Sequence, residues 1–152
     1  DMGMSLGQGR VDKFGGTVVT PGAGLDNAKF SFSVQTESIN TGVEPRDKHL
    51  KSADFFDAEK FPEMKFESAS IVKGKNNSYT LKGKLTIKDV TKEVNIPMIF
   101  GGVIKNKQGK EIAGLQAKFS VNRIDYNIVY DPTGAGVAKA VEVNAYFELV
   151  KK

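Results

Sequence analysis

Pro45 to Phe66, PRDKHLKSADFFDAEKFPEMKF, is the one stretch of this chain in which charge, aromatic residues and helix signals crowd together. Asp54 stands where a helix N-cap would, Asp57 follows three residues on, and Phe55, Phe56, Ala58 and Phe61 lie between and after them. That spacing predicts a short amphipathic helix. Pro62 ends it, because the residue before a proline is pushed out of the helical region. Pro45 and Asp47 predict a further helical turn through His49 and Leu50, so the expected insert covers about residues 47–60. Its apolar face needs a cover, and the sequence on both sides supplies a sheet.

On the N-terminal side Met2, Met4 and Leu6 alternate with polar or small residues, a weak first strand. Gln8 to Thr20 reads as a glycine-broken strand, with a bend expected at Gly15-Gly16. Pro21 to Gly24 is a turn. From Asn27 to Ile39 the alternation is strict, with Ala28, Phe30, Phe32, Val34, Thr36 and Ser38 on one face. On the C-terminal side Met64, Phe66, Ser68, Ser70 and Val72 are expected to share a face, then Tyr79, Leu81, Gly83, Leu85 and Ile87. A hairpin at Asp89-Val90-Thr91 leads into Val94, Ile96, Met98 and Phe100, with Pro97 on the other face marking a ladder break or an edge. Ala113, Leu115, Ala117, Phe119 and Val121 form the next face, and Val141, Val143, Ala145, Phe147 and Leu149 the last. About eight alternating strands with one helical insert predict an all-β antiparallel barrel or sandwich. None of these apolar faces carries Lys, Arg, Asp or Glu, which suits a hydrocarbon chain better than a polar metabolite.

Composition bounds the chemistry. The chain has 152 residues, the size of one domain, and one domain over 1–152 is expected. It has no cysteine and one histidine, so no disulfide, thiolate chemistry or Cys/His zinc site is expected, nor any other metal site or cofactor. Its net charge of +4 comes from scattered lysines, with arginine only at Arg10, Arg46 and Arg123. Without a basic cluster interleaved with aromatics, no nucleic-acid partner is expected. No segment approaches a membrane-spanning helix, and DMGMSLGQGR lacks the basic and apolar regions of a signal peptide. His49 lies near Asp47, Ser52 and Asp54, but one short turn cannot also provide an oxyanion hole, so no catalytic residue and no enzyme activity are expected there. Asp131 to Gly136 lacks the Gly-Lys-Ser/Thr of a phosphate loop, and Asp125, Asn127 and Asp131 lack the spacing of a calcium loop. Asn76-Asn77-Ser78 is a formal glycosylation sequon to which no role is attached.

Arg46 to Asp57 (RDKHLKSADFFD), followed by Lys60-Phe61-Pro62 and Phe66-Glu67-Ser68, resembles the signature of the YceI-like family of lipocalin-like, polyisoprenoid-binding barrels. Further stretches match in order. Ser38 to Gly42 resembles the end of that family's second long strand, Gly83 to Lys92 its hairpin, and Asn122 to Ile128 a late strand end. The resemblance implies a lipocalin-like antiparallel β-barrel whose lumen sequesters or transports a long-chain amphiphile, a polyisoprenoid or isoprenoid quinone, in the bacterial periplasm. Transient contact with a membrane surface and homodimerisation are compatible with it. Family members usually begin with an extended strand ahead of the region matching Gly9 to Val18, and here only Asp1 to Gln8 stand there. A partly unpaired barrel edge is therefore expected.

The resemblance makes Phe30, Phe32, Val34, Phe55, Phe56, Phe66, Tyr79, Leu81, Leu85, Val94, Ile96, Met98, Phe100, Leu115, Phe119 and Phe147 the candidate lipid-binding residues. On residues alone, the same side chains could fill a core, which leaves a structural or protein-interaction barrel as the rival function. Arg46, His49 and Arg123 are candidates for the head group. Each has a plain alternative: local ion pairing of Arg46 with Asp47 and of Arg123 with Asp125, and a hydrogen bond from His49 to a neighbouring strand or loop. Asn122 to Lys139 is either a binding loop or, in its first half, an extension of the preceding strand.

Overall fold

The computed structural model describes residues 2–6, 9–22 and 24–150, so Gln8 and Ala23, at the expected starts of a strand and inside a turn, lie outside the described residues. Ten antiparallel strand segments account for most of it: β1 (Met2–Leu6), β2 (Gly9–Val11), β3 (Phe14–Val19), β4 (Lys29–Gln35), β5 (Ile39–Asn40), β6 (Glu63–Lys73), β7 (Ser78–Ile87), β8 (Val90–Lys105), β9 (Glu111–Asn122) and β10 (Ala140–Val150). They pair in the order β3-β4-β6-β7-β8-β9-β10-β1-β2-β5. The two ends of that order are halves of the same runs. Only Asp12 and Lys13 separate β2 from β3, and only the 3-10 turn Thr36–Ser38 separates β4 from β5. Counted as continuous strands, the segments curl into the expected eight-stranded, lipocalin-like arrangement.

Closure is incomplete in two places. Contact between β1 and β2 consists of Ser5 with Arg10 and Leu6 with Gly9, and β3 has a ladder partner only in β4 among the described residues. The ladder from β8 to β9 begins at Met98–Ala117, one residue past Pro97, although β8 pairs with β7 all the way from Val90 to Ile99. Proline has no N–H to offer the next strand, so the break falls where the sequence placed it.

Three local expectations are corrected. The bend in the first long strand is at Asp12–Lys13, held by Asp12 N–H to Ser38 O at 3.1 Å and Gln35 N–H to Lys13 O at 2.8 Å. Gly15 and Gly16 instead sit in the ladder opposite Ser33 and Phe32. Gly16 is small because the chain is close there: a Cβ would lie 2.2 Å from Ser31 O and 2.4 Å from Phe32 Cδ1. Second, the face Met64–Val72 is not continuous. A bulge between Ser68 and Ser70 turns Ser70 and Val72 outward and puts Ile71 opposite the buried Leu81.

Third, the helix of the insert is α1 (Glu44–Leu50), with Pro45 in its first turn and no side-chain cap on Val43, while residues 51–60 form successive turns. Asp57 has φ 48°, which no helix accommodates. Its N–H reaches back to Ser52 O at 2.9 Å, and Ala58 N–H reaches Lys51 O at 2.9 Å. The turns let the adjacent Phe55 and Phe56 leave in different directions.

The interior has two layers. Toward the end formed by the turns at 20–28, 74–77 and 106–110, Leu25, Ala28, Phe30, Met98, Leu115 and Phe147 pack closely, with the Phe32 and Phe147 rings stacked at 4.6 Å. Toward the end carrying α1, the Lys88–Asp89 turn and the loop after β9, a second cluster joins Phe55, Ile87, Val121, Tyr126, Ile128 and Val143. Each fully buried large apolar side chain contributes about 1.5–3 kcal/mol.

Candidate functional site

Between these layers lies a cavity of about 120 Å³. Phe32, Val34, Phe66, Leu81, Leu85, Ile96, Met98, Phe119 and Phe147 reach its wall from the strands and Phe56 from the turns after α1, all of them positions singled out in the sequence. Phe30, Phe55, Tyr79, Val94, Phe100 and Leu115 are not on that wall. Phe30 and Leu115, each 1 % exposed, fill the closed layer above it, with Tyr79, Val94 and Phe100 packed at its margin. Phe55 is buried in the lower cluster.

Val11, Met64, Ile87, Ala117, Val121, Ile128, Val141, Val143 and Ala145, none of them a candidate from the sequence, also line the cavity, as do Lys65 and the head-group candidate Arg123. Most lie on faces the alternation had identified. Ala117 and Ala145 stand directly opposite each other in the β9–β10 ladder, and their small side chains leave the space that the larger neighbours surround.

The floor of the cavity is built by the insert and by the loop after β9. A 3-10 turn, Arg123–Tyr126, ends at Asn127 in the left-handed region, φ 61°. Arg123 is 3 % exposed, and its guanidinium donates to five backbone carbonyls. Nε reaches Ala138 O at 2.9 Å, Nη1 reaches Ile128 O at 2.8 Å and Tyr130 O, and Nη2 reaches Asp131 O at 2.8 Å and Val137 O at 2.9 Å. All five N–H donors of an arginine are thereby engaged. The expected local pair with Asp125 is replaced by this web, because carbonyls converging from one loop match the planar fork better than a carboxylate two residues away. In this arrangement no N–H of Arg123 is left for a head group. The loop it gathers places Ile128, 1 % exposed, under the cavity. The first half of the segment thus turns away from the strand rather than extending it.

Asp131 closes the same loop. Its Oδ2 accepts from Gly136 N–H at 2.7 Å and Val137 N–H at 2.8 Å. The Val137 amide first, then the Gly136 amide, hold its carboxyl below the ordinary aspartate range. Burial, with the Asp125 charge adding to it, raises the phenol of Tyr126.

The other two head-group candidates sit outside the lumen. Arg46 and Asp47 do not pair with each other as expected but clasp Thr41 from two sides. Arg46 donates to Thr41 Oγ1 at 2.8 Å and Thr41 O at 3.0 Å, and Asp47 Oδ1 accepts Thr41 N–H at 2.9 Å and the Thr41 hydroxyl. The hydroxyl, the largest influence, lowers the Asp47 carboxyl. His49 Nε2 meets Asp54 Oδ2 at 2.9 Å, so the residue read as a helix cap pairs with the histidine. The imidazole stands edge-on to Phe55 at 4.8 Å and Tyr130 at 4.9 Å, joining the insert to the Arg123 loop. Arg46 and His49 therefore fasten the plug, and neither lines the cavity.

A curled antiparallel barrel with an apolar chamber, plugged at one end by a short helix and a tied loop, places the molecule among lipocalin-like folds. The chain belongs to the YceI-like family, whose domain model matches residues 1–149. It is 34 % identical over 127 residues to the UPF0312 protein PputW619_0484 of Pseudomonas putida (strain W619), covering 84 % of this chain and 66 % of that one. It is 30 % identical over 151 residues to the UPF0312 protein VPA0850 of Vibrio parahaemolyticus, covering 99 % and 78 %. The chain thus spans just under two thirds of the Pseudomonas relative. Among solved structures, a Campylobacter jejuni YCEI protein superposes with a TM-score of 0.86 at 28 % identity, covering 95 % of this chain and 84 % of that one. A domain of Saccharophagus degradans described as polyisoprenoid binding shares the fold at TM-score 0.71 and 12 % identity, covering 99 % and 93 %.

Proposed function

We propose that this protein binds a long-chain isoprenoid amphiphile, a polyisoprenoid or isoprenoid quinone, with its tail in the barrel lumen, and holds or carries it without chemical change. The observation that carries this reading is the cavity, whose wall is apolar except where Lys65 and Arg123 approach it. Close-packed cores leave few voids larger than a water. A void this apolar offers nothing to a polar metabolite, whereas a dozen buried methylenes would contribute about 10 kcal/mol gross at ~0.8 per CH₂, less the cost of ordering the tail. The polyisoprenoid-binding description of the Saccharophagus domain supports the ligand class. The proposed place of action is the bacterial periplasm, checked by cell fractionation.

At about 120 Å³ the cavity is near the size of an engineered void that takes up benzene, ~150 Å³. A long tail therefore needs more room than this cavity has, and the floor, built from turns and a loop, is the boundary that can move without breaking a ladder. Native mass spectrometry of the purified protein, followed by organic extraction, tests the reading, with near one isoprenoid per chain as the expected result. Ala117→Leu, which grows into the cavity, is expected to reduce uptake at least tenfold with little loss of stability. Protein that carries no lipid and takes up no added polyprenyl or quinone lipid would leave the packed structural barrel as the better account.

A further inference from the structure

The end of the barrel opposite α1 has a surface of its own. In the segments 19–29, 72–77 and 103–111, exposed Lys29, Lys73, Lys75, Lys105, Lys107 and Lys110 accompany two carboxylates, Asp26 and Glu111. Glu148, opposite Gly114 in β9, stands at the same end, so six lysines there accompany three carboxylates and the end is basic. The same end exposes Val19, Val72, Ile99, Val103 and Ile104, the last 69 % open to solvent.

The geometry singles out one hairpin. The β7–β8 ladder ends at Ser78–Ile99, whereas β8 and β9 continue through Val103–Ala113 and Ile104–Ile112 to Lys105–Glu111. The hairpin thus projects past β7, while β10 accompanies it on the other edge as far as Val150–Ile112, leaving residues 105–111 beyond both. Its tip is firm: Asn106 N–H donates to Lys110 O at 2.8 Å, and Asn106 Oδ1 accepts from the amides of Gln108 at 3.0 Å and Lys110 at 2.9 Å. Successive strand residues point to opposite faces, so Val103 and Ile104 flank the hairpin on both sides. A partner lying against one side would leave the other apolar residue in water. The interfacial layer of a bilayer surrounds a projecting hairpin and covers both, while lysines at the same depth meet anionic head groups.

We propose that this end of the barrel docks on an anionic phospholipid bilayer, with Val103 and Ile104 entering the interface and Lys105, Lys107 and Lys110 meeting lipid phosphates. The surface is argued independently of the lumen, and it lies at the opposite end from the cavity's floor.

The test is flotation of the purified full chain with phosphatidylcholine vesicles containing or lacking phosphatidylglycerol. Binding is expected only to the anionic vesicles and is expected to weaken strongly at 1 M salt, where screening acts over ~3 Å. The triple change Lys105→Glu, Lys107→Glu, Lys110→Glu is expected to weaken vesicle binding by at least about a hundredfold. Ile104→Ser is expected to weaken it less while preserving its salt dependence. Both variants are expected to take up isoprenoid lipid from detergent micelles as the parent does. A parent chain that ignores anionic vesicles, or a triple variant that floats as well as the parent, overturns the docking surface. If the parent floats but no micellar lipid is taken up, the docking surface stands and the lumen reading falls.

Discussion

Replacing Arg123 by methionine is the most discriminating perturbation of the fold. The guanidinium is 3 % exposed and ties five carbonyls of residues 128–138. A carbonyl left buried without a donor costs about 1–3 kcal/mol. Five such costs would be incurred only if the loop stayed in place, and it has a cheaper course, peeling into water. The loss is then bounded by what detachment forfeits, chiefly the burial of Ile128 at about 1.5–3 kcal/mol and the packing of Val137. A destabilisation of about 3–5 kcal/mol is expected, as for other broken buried charge networks. At about 2–4 °C per kcal/mol for a domain of this size, Tm falls by about 6–20 °C. Arg123→Lys, with three donors on a compact ammonium, recovers only part of this. Amide exchange read by mass spectrometry should rise in 127–139 while the β6–β7 ladder keeps its protection. Were Arg123 merely a surface ion-pair partner, the loss would stay below about 1 kcal/mol. A Tm within about 4 °C of the parent with unchanged exchange in the loop would refute the reasoning.

Two glycines separate close approach from mere composition. A Cβ on Gly83 would lie 2.3 Å from Glu67 O and 2.7 Å from Phe66 Cζ, so Gly83→Ala is expected to cost at least ~2 kcal/mol in denaturant unfolding. Gly15 has nothing within 4 Å of the added carbon, and Gly15→Ala is expected to be neutral or stabilising by up to ~1 kcal/mol. For Asp131 the pH dependence has a definite sign. Its folded carboxyl lies below the free value of 3.8, so the stabilisation is complete above the free value and lost as pH falls through the lower folded one. Protection factors in 131–137, taken relative to the intrinsic exchange rate at each pH, should therefore fall below about pH 4 in the parent, and Asp131→Asn should remove that pH dependence.

How much of this was legible in the sequence depends on the range of the interaction that decides each feature. Period-two alternation is local, so the strands and the uncharged inner face could be read directly. The bulge at Ser68–Ser70 was invisible because Ser70 and Val72 continue the same alternation, and only pairing with β7 reveals the shift. The turn signalled by Pro45 and Asp47 through His49 and Leu50 is the helix itself, whereas Asp54 and Asp57 mimic a capping pattern with no helix behind it. What prevails is tertiary: Asp54 is held by His49, and Phe55 must reach His49 and Tyr130 while Phe56 enters the lumen. Arg123 shows the same limit. Its partners are carbonyls 5 to 15 residues away, and backbone acceptors leave no trace in side-chain identity. In the lumen, the bulky residues stand out in the sequence, whereas the opening is made where large side chains are missing, at Ala117 and Ala145.

The two boundaries of the cavity are built differently, and that difference decides where a ligand enters. Above it, Phe30, Met98 and Leu115 belong to strands with partners on both sides, and each is at most 1 % exposed. Moving them would disturb several ladders at once. Below it, Phe56 comes from a run of turns and Ile128 from a loop tied through Arg123 and Asp131. This is also the half of the wall in which β8 and β9 are not hydrogen-bonded, from Val90 to Pro97. Opening here severs side-chain and loop contacts while leaving every ladder intact. A tail too long for about 120 Å³ would therefore enter at the α1 end by displacing Ile128 and Phe56. Bound lipid should accordingly alter amide exchange in 51–61 and 127–139 and leave 25–30 and 98–100 unchanged. The reverse pattern would place entry at the packed end.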